Sequence, residues 1–378
     1  MKARLVPVYY LSADDEDFKN QLAILKSLLA DDAEFLPPAA LGQPLPEAEA
    51  ALFPQMLGVA YSKLPAFKAM TLPLLVLTSP FGTVNMWDWE IVSYLRSEGI
   101  NILAPNTLEQ SKLVIRMLTV KRELASTTFL VFQDNPGEGF QADIFKRFYW
   151  WEEQCLDVIK SKFGVKIVKK SFKILGAEAK ALPDSLAKET LAKWDIPSEG
   201  LSERAVLSAV KMYLALKKEA EADPSIKSMG INCLNESRSS DTTPCLAWDL
   251  LFQEKGIIWG CEADLMVMVT KYLMYKSLGA PIMMTNIYPF LMGKAALKHE
   301  RIPNFPEIVE DPDNHLLLAH CGYFGVVPRP FATSWTLKPK VLAIVDENAH
   351  AQDARMAAGP VTLTKLDPRL EKVLSMEG

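Results

Sequence analysis

Several signatures that would place a chain quickly are missing from this one. There is no CxxC pair, so neither a zinc knuckle nor a thioredoxin-like centre is indicated, and the five cysteines, Cys155, Cys233, Cys245, Cys261 and Cys321, are odd in number and scattered. Such a set suits a reducing compartment. No Walker A sequence occurs, and Gly137-Glu138-Gly139 is too short for a dinucleotide fingerprint. No apolar run approaches the length that crosses a bilayer. The first one ends at Leu11 against the acidic Asp14-Asp15-Glu16-Asp17, too early for a signal peptide. A net charge of −5 gives no electrostatic case for nucleic acid or an anionic membrane surface. A cytoplasmic protein is expected.

What is present is globular composition, 49% hydrophobic and 23% charged, in 378 residues, which is enough for two or three domains. Leu5–Tyr10, Leu72–Leu77, Ile100–Leu103 and Thr128–Phe132 read as strands alternating with amphipathic stretches at Phe18–Leu29, Trp87–Glu98 and beyond Thr107. Thr107-Leu108-Glu109-Gln110 has capping-box spacing. Alternation of this kind argues for a parallel sheet covered on both faces. After a long helix candidate, Phe140–Phe163, the pattern restarts. Gly164–Val168, Ser228–Leu234 and Ile257–Cys261 read as strands; Glu178–Trp194, Glu203–Ala222, Cys245–Glu254 and Ala263–Leu278 read as helices. Beyond Gly279, short apolar runs at Ile282–Met284, His315–Ala319, Val341–Val345 and Val361–Leu366 lie among prolines and turn residues. The expected fold class is α/β: two Rossmann-like α/β domains with parallel sheets, 1–160 and 161–278, then a mainly β domain, 279–378, that looks incomplete.

Ligands of parallel α/β sheets bind beyond the carboxyl ends of the strands. Acids stand at two such ends: Glu236, and the pair Glu262 and Asp264 in Gly260-Cys261-Glu262-Ala263-Asp264. An acid in a helix's first turn commonly serves the helix dipole, and Asp264 fits that well. Glu262 sits at the junction itself, where a solvated surface role explains less. His320-Cys321-Gly322 ends another apolar run, and Asn286 follows Ile282–Thr285. A hydrogen-bonded structural histidine and an ordinary turn residue are the plainer readings of these two. His350 has no motif around it. Composition and spacing stop at an acidic pocket.

Taken together, these pieces resemble the L-fucose isomerase family, the metal-dependent aldose–ketose isomerases that act on sugars such as L-fucose and L-arabinose. The resemblance is carried by Gly260-Cys-Glu-Ala-Asp264 opening a helix that ends at Leu278-Gly279, and by Ala280-Pro-Ile-Met-Met-Thr-Asn286. Asn314–Gly322 and Gly359-Pro-Val-Thr-Leu-Thr364 extend it, so that it spans roughly Gly230 to Leu366. It implies a divalent ion, usually Mn2+, that stabilises an enediol while two carboxylates move a proton between C2 and C1. The first carboxylate falls on Glu262. The second falls on position 286, which here is Asn286, and an amide is no general base at neutral pH. The family's third ligand, a histidine near the C-terminus, has no counterpart before Gly378. Glu262 and Asn286 are therefore the implied metal ligands, with Glu262, Asn286 and Asp264 as the catalytic set. Glu236, His320, Cys321 and Tyr323 are implied sugar contacts, as are Phe81 and Trp87, which would lie over a neighbouring subunit's site in a homo-oligomer. Glu236 or Asp264 would then supply the missing carboxylate. A changed chemistry on the same scaffold (an epimerase or lyase) and a non-catalytic carbohydrate-binding protein are the alternatives.

Overall fold

The computed structural model describes residues 1–134, 153–233, 239–289, 311, 314–320, 326–339 and 348–378. The chain is a mixed α/β protein with two parallel sheets flanked by helices, followed by antiparallel hairpin sheets. It divides into two compact units: Met1–Glu123 with Lys276–Leu278, and Leu124–Tyr275 with Gly279–Gly378. Among the described residues no helix is long and apolar enough to cross a membrane.

The first unit holds strands β1 (Ala3–Tyr9), β2 (Ala33–Phe35), β3 (Ala39–Ala40), β4 (Ala50–Phe53), β5 (Leu74–Val76) and β6 (Ile102–Leu103). Their order is β2-β1-β4-β5-β6, all parallel, with β3 beside the far end of β1. Helices α1 (Glu16–Leu28), α2 (Leu64–Lys68) and α3 (Trp89–Ser97) lie between them, and α4 (Leu108–Ala125) follows β6. The strands are short and apolar throughout because both faces are buried. Ala51, Phe53, Leu74 and Val76 join one core, and Ala50, Leu52, Leu75 and Leu77 the other. Asp15 caps α1 by accepting from Phe18 N–H at 2.8 Å. At α4 the cap is a shifted form of the expected box: Thr107 Oγ1 accepts from Gln110 N–H at 3.1 Å, while Gln110 Oε1 accepts from the N–H of Asn106, one residue before the cap, at 2.9 Å.

In the second unit, β7 (Thr128–Phe132), β8 (Lys166–Lys170), β9 (Ile226–Ile231) and β10 (Ile258–Cys261) form a parallel sheet of order β10-β9-β7-β8. Thr128–Phe132 thus belongs to this sheet and not to the first one, and the division of the chain falls ahead of it. Around it lie α5 (Glu153–Phe163), α6 (Phe172–Ala181), α7 (Asp184–Leu191), α8 (Glu203–Ala222), α9 (Cys245–Lys255) and α10 (Leu265–Leu278). The central β7 is buried at every residue, whereas the edge strand β8, Lys-Ile-Val-Lys-Lys, exposes its lysines. Lysines on an open edge discourage pairing with another chain.

Three antiparallel pairs follow: β11 (Asn286–Pro289) with β12 (Leu316–Ala319), β13 (Ser334–Pro339) with β14 (His350–Arg355), and β15 (Thr362–Leu366) with β16 (Val373–Glu377). Residues 280–285, expected as a strand, form no ladder; pairing starts at Asn286, after the left-handed Gly279 has ended α10 and Pro281 has removed a donor. The expected strand Val341–Val345 and the first part of the expected helix Phe140–Phe163 lie outside the described residues.

Candidate active site

The strand order of the second sheet reverses between β7 and β9, so the crevice beyond their carboxyl ends is the place where such sheets hold ligands. Phe132 pairs with Ile231, and Ile231 with Cys261, so three neighbouring strands end level. The next residue on each is Gln133, Asn232 and Glu262. Adjacent strands lie roughly 4.8 Å apart, which sets these three positions side by side along the edge. The Asn232 N–H donates to the Phe132 carbonyl at 3.0 Å and carries the ladder one residue further. Gln133 and Asn232 are buried. The Gln133 Oε1 is enclosed and has no hydrogen-bond partner among the described residues, although a buried acceptor left unmade costs about 1–3 kcal/mol.

Glu262 is half-buried, and its backbone is unusual. Glu262 and the following Ala263 both have φ of 57°, two consecutive non-glycine residues in the left-handed region. Each such residue costs on the order of 1–2 kcal/mol, a strain that persists only where the surroundings enforce it. Here Asp264 N–H donates to the Cys261 carbonyl at 3.1 Å and closes the turn, and Ala263 is buried. Gly260 and Gly230 are partners across β10 and β9, and α10 rests directly on them. A Cβ on Gly260 would run into Met268, and one on Gly230 would come 3.1 Å from Ala263 Cα.

Asp264 is buried and committed elsewhere. Its Oδ1 caps α10 by accepting from the Val267 N–H at 3.0 Å, and its Oδ2 accepts from Lys365 Nζ, on β15, at 2.8 Å. Its geometry is that of the helix-capping acid, further anchored by a lysine. Beneath the junction lies Lys271, fully enclosed, its Nζ donating to the Trp259 carbonyl at 2.8 Å above that indole. Burial pushes its pKa well below the ordinary lysine value, with the nearby Cys261 opposing. Sequence patterns gave no sign of Lys271, since a lysine inside Leu265–Leu278 reads as a solvated face residue.

The other expected contacts are distributed as follows. Asn286 opens β11, is exposed, and pairs with Ala319; the buried His320 follows Ala319 directly, so one ladder end carries both. Glu236, Cys321 and Tyr323 lie outside the described residues. Phe81 and Trp87 belong to the first unit, on the segment after β5, and are 75% and 79% exposed. That segment is braced from within: Thr78 Oγ1 donates to Asp88 Oδ2 at 2.5 Å and accepts from the Asn85 N–H at 2.9 Å. Burial raises the Asp88 pKa, and the Thr78 bond opposes it. His350 is a structural residue. It is buried on β14, and its Nε2 accepts from Leu246 N–H, in the first turn of α9, at 3.0 Å.

Among the described residues no three His, Cys, Asp or Glu side chains gather as metal ligands. Glu262 and Asn286 offer the oxygen donors that a hard divalent ion takes, but one carboxylate and one amide do not make a complete set. Fold and edge together define a doubly wound α/β protein with a strained carboxylate beside two buried amides at the carboxyl edge of its second parallel sheet. No family model matches the chain, and no curated protein matches it.

Proposed function

We propose that the protein is a sugar isomerase-type enzyme, which interconverts an aldose and a ketose through an enediol. The observation that carries this reading is Glu262, held in a left-handed turn at the carboxyl end of β10, next in line to Asn232 and Gln133. A half-buried carboxylate fixed at a crevice suits a general base that takes the proton from the carbon beside a carbonyl and returns it to the neighbouring one. The buried amides suit a neutral, hydroxyl-rich substrate. The resemblance of Gly260–Asp264 and Ala280–Asn286 to the L-fucose isomerase family supports the same chemistry, and with it Mn2+ or another divalent ion, a monosaccharide ligand and a homo-oligomer in a reducing compartment. When bound, such an ion would supply charge stabilisation to the enediolate, and Glu262 and Asn286 are the residues here with the right donor atoms. Those two do not by themselves complete its coordination. Phe81 and Trp87 stay in this reading as sugar-covering aromatics.

Asn286 favours a second reading, a carbohydrate-binding protein without turnover, because an amide stands where the second carboxylate is expected. One experiment separates the two. Solvent deuterium incorporated at C2 of L-fucose or L-arabinose, with added manganese, supports the isomerase. Glu262→Gln is expected to lower that exchange by about 10²–10⁴-fold and to remove bound manganese. Sugar binding without exchange, across a broad panel of aldoses and ketoses, sinks it in favour of the binder.

A further inference from the structure

We infer that Gln133 and Asn232 form a hydroxyl-binding subsite that reads two neighbouring hydroxyl groups of the ligand beside Glu262; the inference rests on the proposed sugar chemistry and goes beyond it in naming the residues that select the substrate. Three observations converge. The two residues are the first beyond β7 and β9, at the point where the strand order reverses. They are adjacent in register, since the Asn232 N–H donates at 3.0 Å to the carbonyl of Phe132, the residue before Gln133. And the Gln133 side chain, 7% exposed, holds an acceptor oxygen that nothing in the described protein satisfies.

The chemistry of the edge narrows the ligand. A primary amide offers one acceptor and two donors at fixed geometry, which matches a pair of vicinal hydroxyls, each able to give and to take a hydrogen bond. An anionic ligand is disfavoured. The lysine at the end of the neighbouring β8, Lys170, is held by Glu219 at 2.5 Å, and the acids Asp134 and Glu262 flank the amides. Asp134 in turn accepts from the Lys173 N–H at 2.9 Å and serves the start of α6. A neutral polyol or monosaccharide is the class left. An apolar ligand would leave the buried amide oxygen unmet.

The test uses the full chain and four sugars, L-fucose, L-arabinose, D-arabinose and L-ribose, with calorimetric binding, C2 deuterium exchange and thermal unfolding read on each variant. Gln133→Met is expected to weaken the bound sugar by about 3–10-fold, the loss of one hydroxyl contact. It is also expected to leave the melting temperature unchanged or raised, because it removes a buried acceptor that has no hydrogen-bond partner among the described residues. A purely structural glutamine would instead lower it. Gln133→Leu is read the same way should the methionine variant fail to fold. Glu262→Gln is expected to lower exchange by about 10²–10⁴-fold, as in the proposed function. Weakened binding in Gln133→Met, with no exchange by the wild type, upholds the subsite and sinks the isomerase reading. Exchange with unchanged affinity in Gln133→Met does the reverse. Binding of none of the four sugars by the wild type overturns the subsite.

Discussion

Lys271 sits one strand-to-helix junction away from Glu262, and its ammonium form is disfavoured because it is enclosed, with the Trp259 carbonyl its one hydrogen-bond acceptor among the described residues. Its folded pKa lies well below the ordinary lysine value. Between that folded pKa and the unfolded value the unfolded chain therefore binds one more proton, and stability rises with pH across the window. Replacing it with methionine removes the titration. The stability of Lys271→Met relative to wild type is expected to be highest at the acid end and to fall as pH rises, by up to about 1.4 kcal/mol per pH unit. Urea unfolding of both proteins between pH 6 and 10 measures it; a difference that stays flat with pH shows that the lysine keeps its charge inside. Of the candidate site, Glu262 was legible at this scale, because an acid after an apolar strand is conspicuous in the sequence, whereas Asp264, equally conspicuous, is a helix cap. Gln133 and Asn232 were not legible. Each is an ordinary polar residue after a strand, and only the cross-strand register sets them beside Glu262.

The elements repeat that distinction between local and non-local information. Thr128–Phe132, Ile257–Cys261 and the helix ending at Leu278 were readable, since apolar runs and the Gly279 stop are local signals. The strand β4 (Ala50–Phe53) was missed. Two of its four residues are alanines, poor strand formers, and they follow the acidic Glu47–Glu49; burial on both faces of a central position overrides that propensity. Which sheet β7 joins is likewise invisible locally, because its partners β8 and β9 come later in the chain. Nor did residue type foretell the left-handed pair Glu262 and Ala263, which glycine would normally fill. What holds that turn is the seat of α10 on Gly230 and Gly260. Gly260→Ala is expected to lower stability by about 1–3 kcal/mol, since its methyl meets Met268 and comes 3.3 Å from the Asp264 carbonyl. Adding Met268→Ala should restore part of the loss, and a double-mutant cycle on denaturant midpoints reads the coupling. Strict additivity would mean that the helix does not bear on the glycine.

For the whole molecule, the consequence of two parallel sheets is two separate hydrogen-bonded ladders. The first ladder runs β2-β1-β4-β5-β6 and the second β10-β9-β7-β8, and no strand pairing joins them among the described residues. Leu75, at 0% exposure, lies in the core of the first with Leu5, Leu52 and Leu77. Truncating it leaves a cavity worth about 2–5 kcal/mol. Local opening follows cooperative units, so the loss should appear where the cavity is. In Leu75→Ala, amide hydrogen exchange followed by mass spectrometry is expected to quicken in β1, β4 and β5. Peptides covering β7, β9 and β10, including the Gln133, Asn232 and Glu262 edge, should keep their protection. The candidate edge would then survive a lesion in the first unit as far as its own sheet is concerned. Quickened exchange throughout β7, β9 and β10 would instead make the two ladders one cooperative unit, and would make every substitution in the first sheet a substitution in the site.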